Sequence, residues 1–484
     1  MTAVETFLWH DYETFGTHPA LDRPAQFGAI RTDMSLEITG EPVAWYCAPA
    51  DDMLPNPDAC LVTGITPQKA LAEGVCEAEF ARRVHGEMMQ PGTCSAGYNS
   101  IRFDDEFTRH LLYRNFRDPY EREYKHGNSR WDLINLARMC YALRPDGLNW
   151  PRNDQGQASF RLEHLTEANG IEHGEAHDAL ADVKATLALA RLIRKAQPRL
   201  FEWALGLRNQ KTAIALLDVS QPQPLVHTSG RIAASRGCTG LFLPLALVPG
   251  RPKSVIAIDL HADPSALINE PAESIADLVF TPAADLPDDH ERIPLKAIHS
   301  NKVPMLAPIQ TLRGVDTSRI GLDVDQCHAH AARILQDIEA IRYKVMEVFE
   351  RPFDNEPRDP ELMLYGGDFF SHADRALMNR LVDMDPTEIA STEWPFRDAR
   401  LPELLFRFRA RNYPETLNPA EAERWQHDRR QRLTDPPLHG HPGMMEMRQR
   451  IRELREQPPP ARPGQLHILD QLEAWYDQIE AVAG

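Results

Sequence analysis

The sequence lacks long hydrophobic runs. No stretch of about 18 consecutive apolar residues, the length that a membrane-spanning helix needs, occurs in the 484-residue chain. The N-terminal segment MTAVETFLWHDYE also lacks the basic start and the small-residue cleavage site of a signal peptide. Together the two absences predict a cytoplasmic protein that does not associate with membranes.

Cysteine and positive charge are also in short supply. The seven cysteines are scattered and none forms a C-x-x-C pair, so the sequence indicates neither a zinc site nor a disulfide framework. Lysine and arginine number 53 against 71 aspartates and glutamates, which gives a net charge of −18. This excess of negative charge argues against general adhesion to nucleic acid or to anionic membranes, but it leaves room for a local basic groove.

The composition and the predicted secondary structure of the chain change twice along its length, which by itself suggests about three domains. Residues 1–200 alternate strand-like segments such as TFLWHDYE with helical ones such as RWDLINLARMCYAL, so they predict an α/β domain. Residues 201–349 contain short β-rich pieces between prolines and glycines, as in a small barrel. A linker is predicted at residues 350–361.

The last part of the chain, residues 350–484, is rich in Arg, Glu and Leu at helical spacing and is predicted to be helical. The Arg-rich segments RFRARN and RWQHDRRQRLTD are interpreted mainly as solvated helix faces, because a charge-laced helix usually faces water.

Two acidic residues follow an apolar run near the N-terminus. Asp11 and Glu13 stand two positions apart behind TFLW, and alternate side chains of a strand emerge on the same face. Carboxylates held this close raise each other's pKa unless a cation lies between them. An isolated D-x-E is more often a solvated strand end, so a functional interpretation requires further acids nearby.

Two later segments supply such acids. GYNSIRFDDEF places Asp104 where a strand should pass into a helix, and HDALADV places His177 five residues before Asp182. Carboxylate oxygens are the ligands that Mg²⁺ and Mn²⁺ prefer, and two such ions can stabilise the attacking and leaving oxygens of a phosphodiester. An imidazole can accept a proton from the attacking water at neutral pH. The remaining acids of these segments are interpreted as helix-start residues that the helix dipole favours: Asp105, Glu106 and Asp178.

The motifs DYET, NSIRFD and HDALAD resemble, in this order, the three exonuclease motifs of the DEDD superfamily in its histidine branch, where a histidine lies five residues before the last aspartate. The blocks FGTHPALDRPAQFGAIRTD, YALRPDGLNWP, FRLEHLTEANGIEH, NKVPMLAP and LLFRFRARNYPETL extend the match, so that essentially the whole chain is similar to the bacterial exonuclease I family. The resemblance implies an α/β ribonuclease H-like exonuclease domain at 1–200, an SH3-like β-barrel-type domain at 201–349 and an all-α C-terminal domain at 350–484.

The same resemblance implies a processive 3′→5′ exonuclease that degrades single-stranded DNA to 5′-mononucleotides in DNA repair and recombination; we further expect a monomer. Glu13 would also contact the substrate, and Arg161 in FRLEHL would bind the phosphate of the terminal nucleotide. Two Mg²⁺ ions, for which Mn²⁺ can substitute, would be bound by four carboxylates, with a histidine as general base: Asp11, Glu13, Asp104, Asp182 and His177.

A protein that holds one DNA strand needs aromatic rings for stacking and cations for the phosphates. The segment RHLLYRNFRDPYEREYKHGNSRW interleaves the two residue types. By the resemblance, and weighed against ordinary surface roles, the expected strand contacts are Arg109, Tyr120, Tyr124, Arg138, His299 and Lys302.

The family also docks the acidic C-terminal tail of single-stranded DNA-binding protein, which requires cations beside an apolar pocket. Arg144 and Arg313 are the expected cations, and Trp203 is the expected pocket wall. Arg144 precedes a proline, so it can equally be a cation that interacts with the dipole of a helix C-terminus.

Two other functions remain open from the sequence. An RNA 3′ exonuclease or a polymerase proofreading subunit would use the same first domain, although such enzymes usually need only about the first 200 residues. A non-catalytic adaptor that binds single strands or their coating protein is the alternative from another class, and the presence of all five site residues argues against it.

Overall fold

The structure is a computed structural model that describes residues 4–174, 177–287, 291–350, 358–434, 441–456 and 464–483. Backbone contacts divide the chain into two compact units. The first unit comprises Met1–Ser129, His173–Lys184 and Asp354–Gly484, and the second comprises Arg130–Glu172 and Ala185–Phe353. Most of the linker predicted at 350–361 lies outside the described residues, and the domain boundaries predicted after residues 200 and 349 stay predictions.

The N-terminal part of the first unit alternates strands and helices, as the sequence predicts. Among the described helices of the whole chain, none combines the length and the apolar character that crossing a bilayer requires. The elements up to residue 114 are β1 (Thr6–Thr14), β2 (Pro24–Asp33), β3 (Val43–Tyr46), α1 (Pro57–Thr63), α2 (Pro67–Glu73), α3 (Glu77–Met88), β4 (Thr93–Gly97) and α4 (Asp104–Arg114).

Strand β1 lies in the interior of the sheet of the first unit, whose strands are ordered β3-β2-β1-β4. It pairs antiparallel with β2 and parallel with β4. Phe7, Leu8 and Trp9 are all buried on successive positions, which is the pattern of a strand covered on both faces. The polar end of β1, from Asp11 onward, therefore emerges at one edge of a well-packed sheet.

The middle of the chain contains a five-stranded antiparallel sheet with the order β10-β6-β7-β8-β9, which matches the small β-domain predicted there. The helix predicted over RWDLINLARMCYAL begins three residues late, because Ser129–Asp132 is a strand and the Asp132 side chain caps the helix by accepting from the amide of Ile134 at 3.0 Å. The elements from 129 to 350 are β5 (Ser129–Asp132), α5 (Leu133–Leu143), α6 (Leu162–Ala168), α7 (Ala179–Ala196), α8 (Pro198–Gly206), α9 (Gln210–Leu216), β6 (Leu225–Thr228), β7 (Thr239–Val248), β8 (Arg251–Asp259), α10 (Ser265–Asn269), α11 (Ala272–Phe280), β9 (Leu295–His299), β10 (Met305–Pro308), α12 (Val324–Gln336) and α13 (Ile338–Phe349).

The C-terminal part of the described chain is helical, as predicted, and packs against the N-terminal part within the first unit. One hydrophobic core contains Phe15 together with Trp475. In a second core, the ring of Phe116 meets that of Phe408 edge-on at 5.6 Å. The helices are α14 (His372–Leu381), α15 (Pro386–Ser391), α16 (Arg400–Asn412), α17 (Pro419–Leu433), α18 (Met444–Glu456) and α19 (Gln465–Ala483).

The interpretation of RFRARN as a solvated helix face is wrong. Arg407 and Arg409 are each only 8% exposed, and the side chain of Arg411 is 3% exposed. In RWQHDRRQRLTD the result is mixed, because Arg429 is buried whereas Arg424 is exposed. The buried arginines of both segments are accommodated because carboxylates of the same unit pair with them. Sequence periodicity does not reveal such partners.

Candidate active site

The polar end of β1 supplies the first two acids of the site. Asp11 pairs in register with Gly28 of β2, and Glu13 pairs with Gln26. Their side chains leave the same face of the strand because they are two residues apart. Glu13 is 7% exposed, so its carboxyl group lies in the protein interior rather than in solvent.

Asp104 joins this edge from the neighbouring strand. Strand β4 runs parallel to β1, and the chain then turns into α4, of which Asp104 is the first residue. The carboxylate of Asp104 accepts a hydrogen bond from the main-chain amide of Tyr12 at 2.9 Å. Because Tyr12 stands between Asp11 and Glu13, this bond ties the third acid directly to the first two.

The next residue, Asp105, carries the same functional group as Asp104 but forms an ion pair inside the protein. It forms an ion pair at 2.6 Å with Arg122, whose side chain is fully buried. Asp105 is itself 1% exposed, so a cation from the protein already neutralises it. The structure thus distinguishes two adjacent aspartates that the motif alone presents as equivalent.

The start of helix α7 packs over β2, on the face of the sheet from which Asp11 and Glu13 emerge. A Cβ atom added at Gly28 would lie 2.6 Å from the main-chain carbonyl carbon of Ala179, so only glycine lets the helix come this close. The amide group of Gln26 donates to the Asp178 carboxylate at 3.1 Å and accepts from the amide of Ala179 at 3.1 Å. Sequence reasoning did not identify Gly28 or Gln26, which together seat the first turn of α7 beside Asp11 and Glu13.

Asp178 has the helix-start role that the sequence suggests. Besides the contact from Gln26, its carboxylate accepts from the main-chain amide of Ala181 at 3.0 Å. A carboxylate in this position satisfies free amides at the helix N-terminus and is favoured by the helix dipole.

Asp182 and His177 complete the group. Glu13, His177 and Asp182 each place one potential ligand atom so that these atoms all lie within 4.8 Å of one another. The backbone of His177 has φ of 69°, in the left-handed region that non-glycine residues rarely occupy and in which they carry backbone strain. The imidazole of His177 thus lies beside the carboxyl groups of Glu13 and Asp182.

The electrostatics of the cluster are those of acids collected without a cation. Burial, followed by the charges of Asp182 and Asp104, raises the pKa of Glu13 to about 9. Burial and the charges of Asp104 and Glu13 raise the pKa of Asp11 well above its ordinary value. Burial also raises the pKa of Asp182, although hydrogen bonding to His173 opposes this effect. Mutual repulsion of this kind is relieved when a positive charge enters the group.

The residues present therefore fit a hard divalent cation. Their oxygen donors are the type that Mg²⁺ and Mn²⁺ prefer, and a cation among them would lower the pKa values of Asp11 and Glu13, which burial and mutual repulsion raise. The structure brings together all five residues that the sequence predicts for the site, from β1, α4 and α7 of the first unit.

The predicted strand contacts in the first unit differ in exposure. Arg109 is 5% exposed, and its guanidinium group donates to Glu106 at 2.7 Å and to Glu123 at 2.8 Å. These donors of Arg109 are used inside the protein, and its contact with DNA stays a prediction. Tyr120 is half-buried in a hydrophobic cluster, whereas Tyr124 is 65% exposed and accessible for stacking.

In the second unit, Arg138 is half-buried. Its guanidinium group donates to the side chain of Asn135 at 2.8 Å and lies 5.8 Å from the ring centre of Phe160, so the structure favours a packing role. Arg161 precedes α6 and its side chain is 68% exposed, as a residue that binds a terminal phosphate requires.

His299 and Lys302 lie on a basic face of the second unit. Burial and the positive charges of Lys302, Arg251, Arg231 and Lys296 lower the pKa of His299. Lys302 is exposed. A face with this concentration of positive charge contrasts with the acidic balance of the whole chain.

The predicted partner-binding residues converge on one segment of the second unit. Arg144 donates to the main-chain oxygen of Thr311 at 3.0 Å, and the indole of Trp203 donates to that of Leu306 at 2.9 Å. Arg313, which follows this segment, is exposed. Arg144 also caps the C-terminus of α5, and both interpretations of this residue stay predictions.

Three family models match the chain in succession. They are described as "Exonuclease" at residues 8–190, "Exonuclease I SH3-like domain" at 208–351 and "Exonuclease I C-terminal domain" at 358–479. The predicted fold class, with an exonuclease domain followed by an SH3-like domain and a helical C-terminal domain, is confirmed.

Individual proteins match over nearly the whole chain. The Exodeoxyribonuclease I of Escherichia coli (strain K12) is 49% identical over 443 residues, which cover 91% of this chain and 93% of the relative. The zinc-bound structure of an E. coli ExoI–ssDNA complex superimposes with a TM-score of 0.93 at 45% identity and covers 99% of this chain and 100% of that one. A structure described as SSB/Exonuclease I in complex with the inhibitor CFAM has a TM-score of 0.88 at 45% identity, with 99% and 100% coverage.

The fold, the acid cluster and the first family model define the class of the protein, which is an exonuclease and therefore a hydrolase of phosphodiester bonds. The two further domain models and the identity of 49% over nearly the full length refine this assignment. The chain belongs to the exonuclease I family.

Proposed function

We propose that this protein removes 5′-mononucleotides processively from the 3′ end of single-stranded DNA, in DNA repair and recombination. The observation that carries the proposal is the gathering of four carboxylates and one imidazole at the polar end of β1. The E. coli relatives that match nearly the whole chain are described as an exodeoxyribonuclease and as a complex with single-stranded DNA, which supports the choice of DNA over RNA.

The four carboxylates would hold two Mg²⁺ ions, for which Mn²⁺ can substitute. When bound, the ions would supply Lewis-acid stabilisation to the attacking and leaving oxygens of the phosphodiester. The raised pKa of Glu13 supports a cation at this point, because the acids repel one another without one. The residues proposed as ligands are Asp11, Glu13, Asp104 and Asp182.

His177 would act as general base by accepting a proton from the attacking water on its imidazole nitrogen. Its left-handed backbone and its distance of at most 4.8 Å from the nearest ligand atoms of Glu13 and Asp182 support this role. Glu13 would also contact the terminal nucleotide. Arg161 would bind the phosphate of that nucleotide, and its exposure of 68% is compatible with such a contact.

The basic face around His299 and Lys302 would bind the phosphates of the strand. Cations that track the backbone bind any sequence, and a local face of this kind allows an acidic protein to hold DNA. Tyr124 is the proposed stacking residue of the first unit because its ring is exposed.

The segment around Thr311 would bind the acidic C-terminal tail of single-stranded DNA-binding protein. Arg144 and Arg313 would supply the cations and Trp203 the apolar wall; the hydrogen bonds of Arg144 and Trp203 to this segment support a shared site. The similar SSB/Exonuclease I structure supports the choice of partner. We further propose that the protein acts as a monomer in the cytoplasm.

The direct test compares Mg²⁺-dependent nucleotide release from single-stranded DNA, duplex DNA and RNA. Activity restricted to single-stranded DNA supports the proposal, whereas a preference for RNA supports an RNA exonuclease. Strand binding without any hydrolysis indicates an adaptor. Chelation of the metal by EDTA should abolish nucleotide release in the first case.

The role of His177 can be tested separately. His177→Ala should lower turnover by about 10² to 10⁴-fold, the contribution of a general base, while DNA binding stays close to wild type. Asp11→Ala should abolish metal-dependent hydrolysis, because it removes a ligand. Wild-type turnover in His177→Ala would refute the assignment of the base.

A further inference from the structure

A second histidine contacts the acid cluster. His173 lies four residues before His177 and is not part of the D-x-E or H-x₄-D patterns. Its Nε2 atom is 2.5 Å from Oδ1 of Asp182, and the two side chains are 10% and 17% exposed. The contact is therefore short and largely shielded from water, within the first unit of the chain.

The chemistry of this contact defines its direction. An ionised carboxylate can only accept hydrogen bonds, so His173 must donate through the proton on Nε2. The bond engages Oδ1 of Asp182, and the carboxyl group also receives a hydrogen bond from the backbone of His177. An ionised carboxylate has about four acceptor positions, so lone pairs are left for another ligand. This is the arrangement by which an outer residue orients a metal-binding carboxylate.

Asp182 needs such support because of its place in the fold. It is the fourth residue of α7, and its main-chain amide donates to the carbonyl of Asp178 at 3.0 Å. The helix thus fixes its backbone, but the helix does not fix the rotation of its carboxylate.

We propose that His173 is a positioning residue that holds the Asp182 carboxylate in the orientation that binds a divalent cation. The inference rests on the proposed function, in which Asp182 is a metal ligand. His173 does not touch the substrate in this proposal; it acts only through Asp182.

The experiment measures Mn²⁺ binding to the full-length chain by isothermal titration calorimetry, without DNA. His173→Ala should weaken Mn²⁺ binding by about 10 to 100-fold, the usual effect of losing an outer-shell partner. His173→Gln, whose amide can still donate to the carboxylate, should recover most of the affinity. At saturating Mn²⁺, His173→Ala should regain most of its turnover, unlike His177→Ala.

The chain offers a matched control. His441 and Asp22 form another histidine–aspartate contact in the first unit, at 2.9 Å and with side-chain exposures of 17% and 8%. His441→Ala should therefore bind Mn²⁺ like the wild type. If it weakens binding as much as His173→Ala does, the effect is one of general stability and the proposal is refuted.

A further variant separates this inference from the proposed function. Asp182→Asn should weaken Mn²⁺ binding at least as strongly as His173→Ala. If Asp182→Asn weakens binding and His173→Ala does not, the positioning role is refuted and the ligand set stands. If neither variant changes binding, Asp182 is not a ligand and both proposals fail. Should His173→Ala not fold, the test is His173→Gln alone. A weakening of Mn²⁺ binding by about 10 to 100-fold in this variant, which keeps a donor, would contradict the role of the hydrogen bond.

Discussion

The buried acid Glu13 lowers the stability of the metal-free protein, although the proposed chemistry requires it. Glu13 has a pKa of about 9 in the folded protein, compared with an ordinary value of 4.5. Between these two values the folded state holds a proton that the unfolded state has lost, so the stability of the metal-free protein must fall as the pH rises through this window. The acids are kept together despite this cost, which a bound cation would offset.

The variant Glu13→Gln tests directly whether this acid destabilises the metal-free protein. In EDTA at pH 8, the variant should be more stable than the wild type by up to about 5 kcal/mol, since pH 8 lies about 3.5 units above the ordinary pKa of 4.5 and each unit corresponds to about 1.4 kcal/mol. At pH 5 the gain should nearly vanish, because Glu13 is then protonated in the folded wild type. The same variant should lose metal-dependent hydrolysis. The measurement is urea unfolding at both pH values.

A suitable comparison for Glu13→Gln is Glu423→Gln, which changes an exposed acid of α17 in the same unit. A substitution of this kind usually changes stability by less than about 0.5 kcal/mol. If Glu13→Gln is no more stable than the wild type at pH 8, the acids are not mutually destabilising in the metal-free protein, and the electrostatic argument for the site fails.

The position of helix α7 on strand β2 determines whether the site can form. Its first turn carries Asp182 and follows His177, and it reaches the acids of β1 only because Gly28 lacks a side chain. The hydrogen bonds from Gln26 then fix the start of the helix. The packing of one helix end on one strand thus determines the geometry of the whole cluster.

Gly28→Ala should disturb this contact. The added methyl group would meet the main chain of Ala179 and Leu180 at 2.6 Å, and a main chain cannot move aside like a flexible side chain. We expect a loss of about 1 to 3 kcal/mol in stability, as for other overpacked sites, together with weaker metal binding. Thermal unfolding and Mn²⁺ titration measure the two effects.

Gly86→Ala provides the control for this substitution. Gly86 lies on the exposed side of α3, and an added Cβ would meet nothing within 4 Å. Alanine is the better helix former, so this variant should be more stable by about 0.5 to 1 kcal/mol. If Gly28→Ala causes no loss of stability, α7 is not seated on β2 as described.

The same elements show how far the sequence can predict the site. The two-residue period of a strand correctly indicated that Asp11 and Glu13 share a face, and the order of the motifs indicated which further acids would join them. The close approach at Gly28 was not predictable, because it depends on the distance between two elements far apart in the chain. Arg122, which pairs with Asp105, was missed for the same reason.

The first unit as a whole depends on buried charge between its N-terminal and C-terminal segments. Arg411 of α16 donates to Asp52 at 2.6 Å and also pairs with Glu361, and all three side chains are at most 6% exposed. The neighbouring arginines hold the carboxylate pKa values low: that of Asp52 falls to about 2, and that of Glu361 lies well below its ordinary value. Pairs of this kind cannot be read from helical periodicity, which assigned α16 a solvated face.

Arg411→Ala should destabilise the protein by about 3 to 5 kcal/mol, because it removes the buried cation that pairs at short distance with both Asp52 and Glu361. Arg450→Ala is the matched control: Arg450 also joins α18 to an N-terminal acid, Asp58, at 2.7 Å, but both side chains are nearly half exposed, so its loss should cost no more than about 1 kcal/mol. Denaturant unfolding at pH 7 compares the two. Equal effects would mean that burial does not determine the strength of these contacts, whereas a large loss confined to Arg411→Ala would show that the C-terminal helices stabilise the segment that carries the acid cluster.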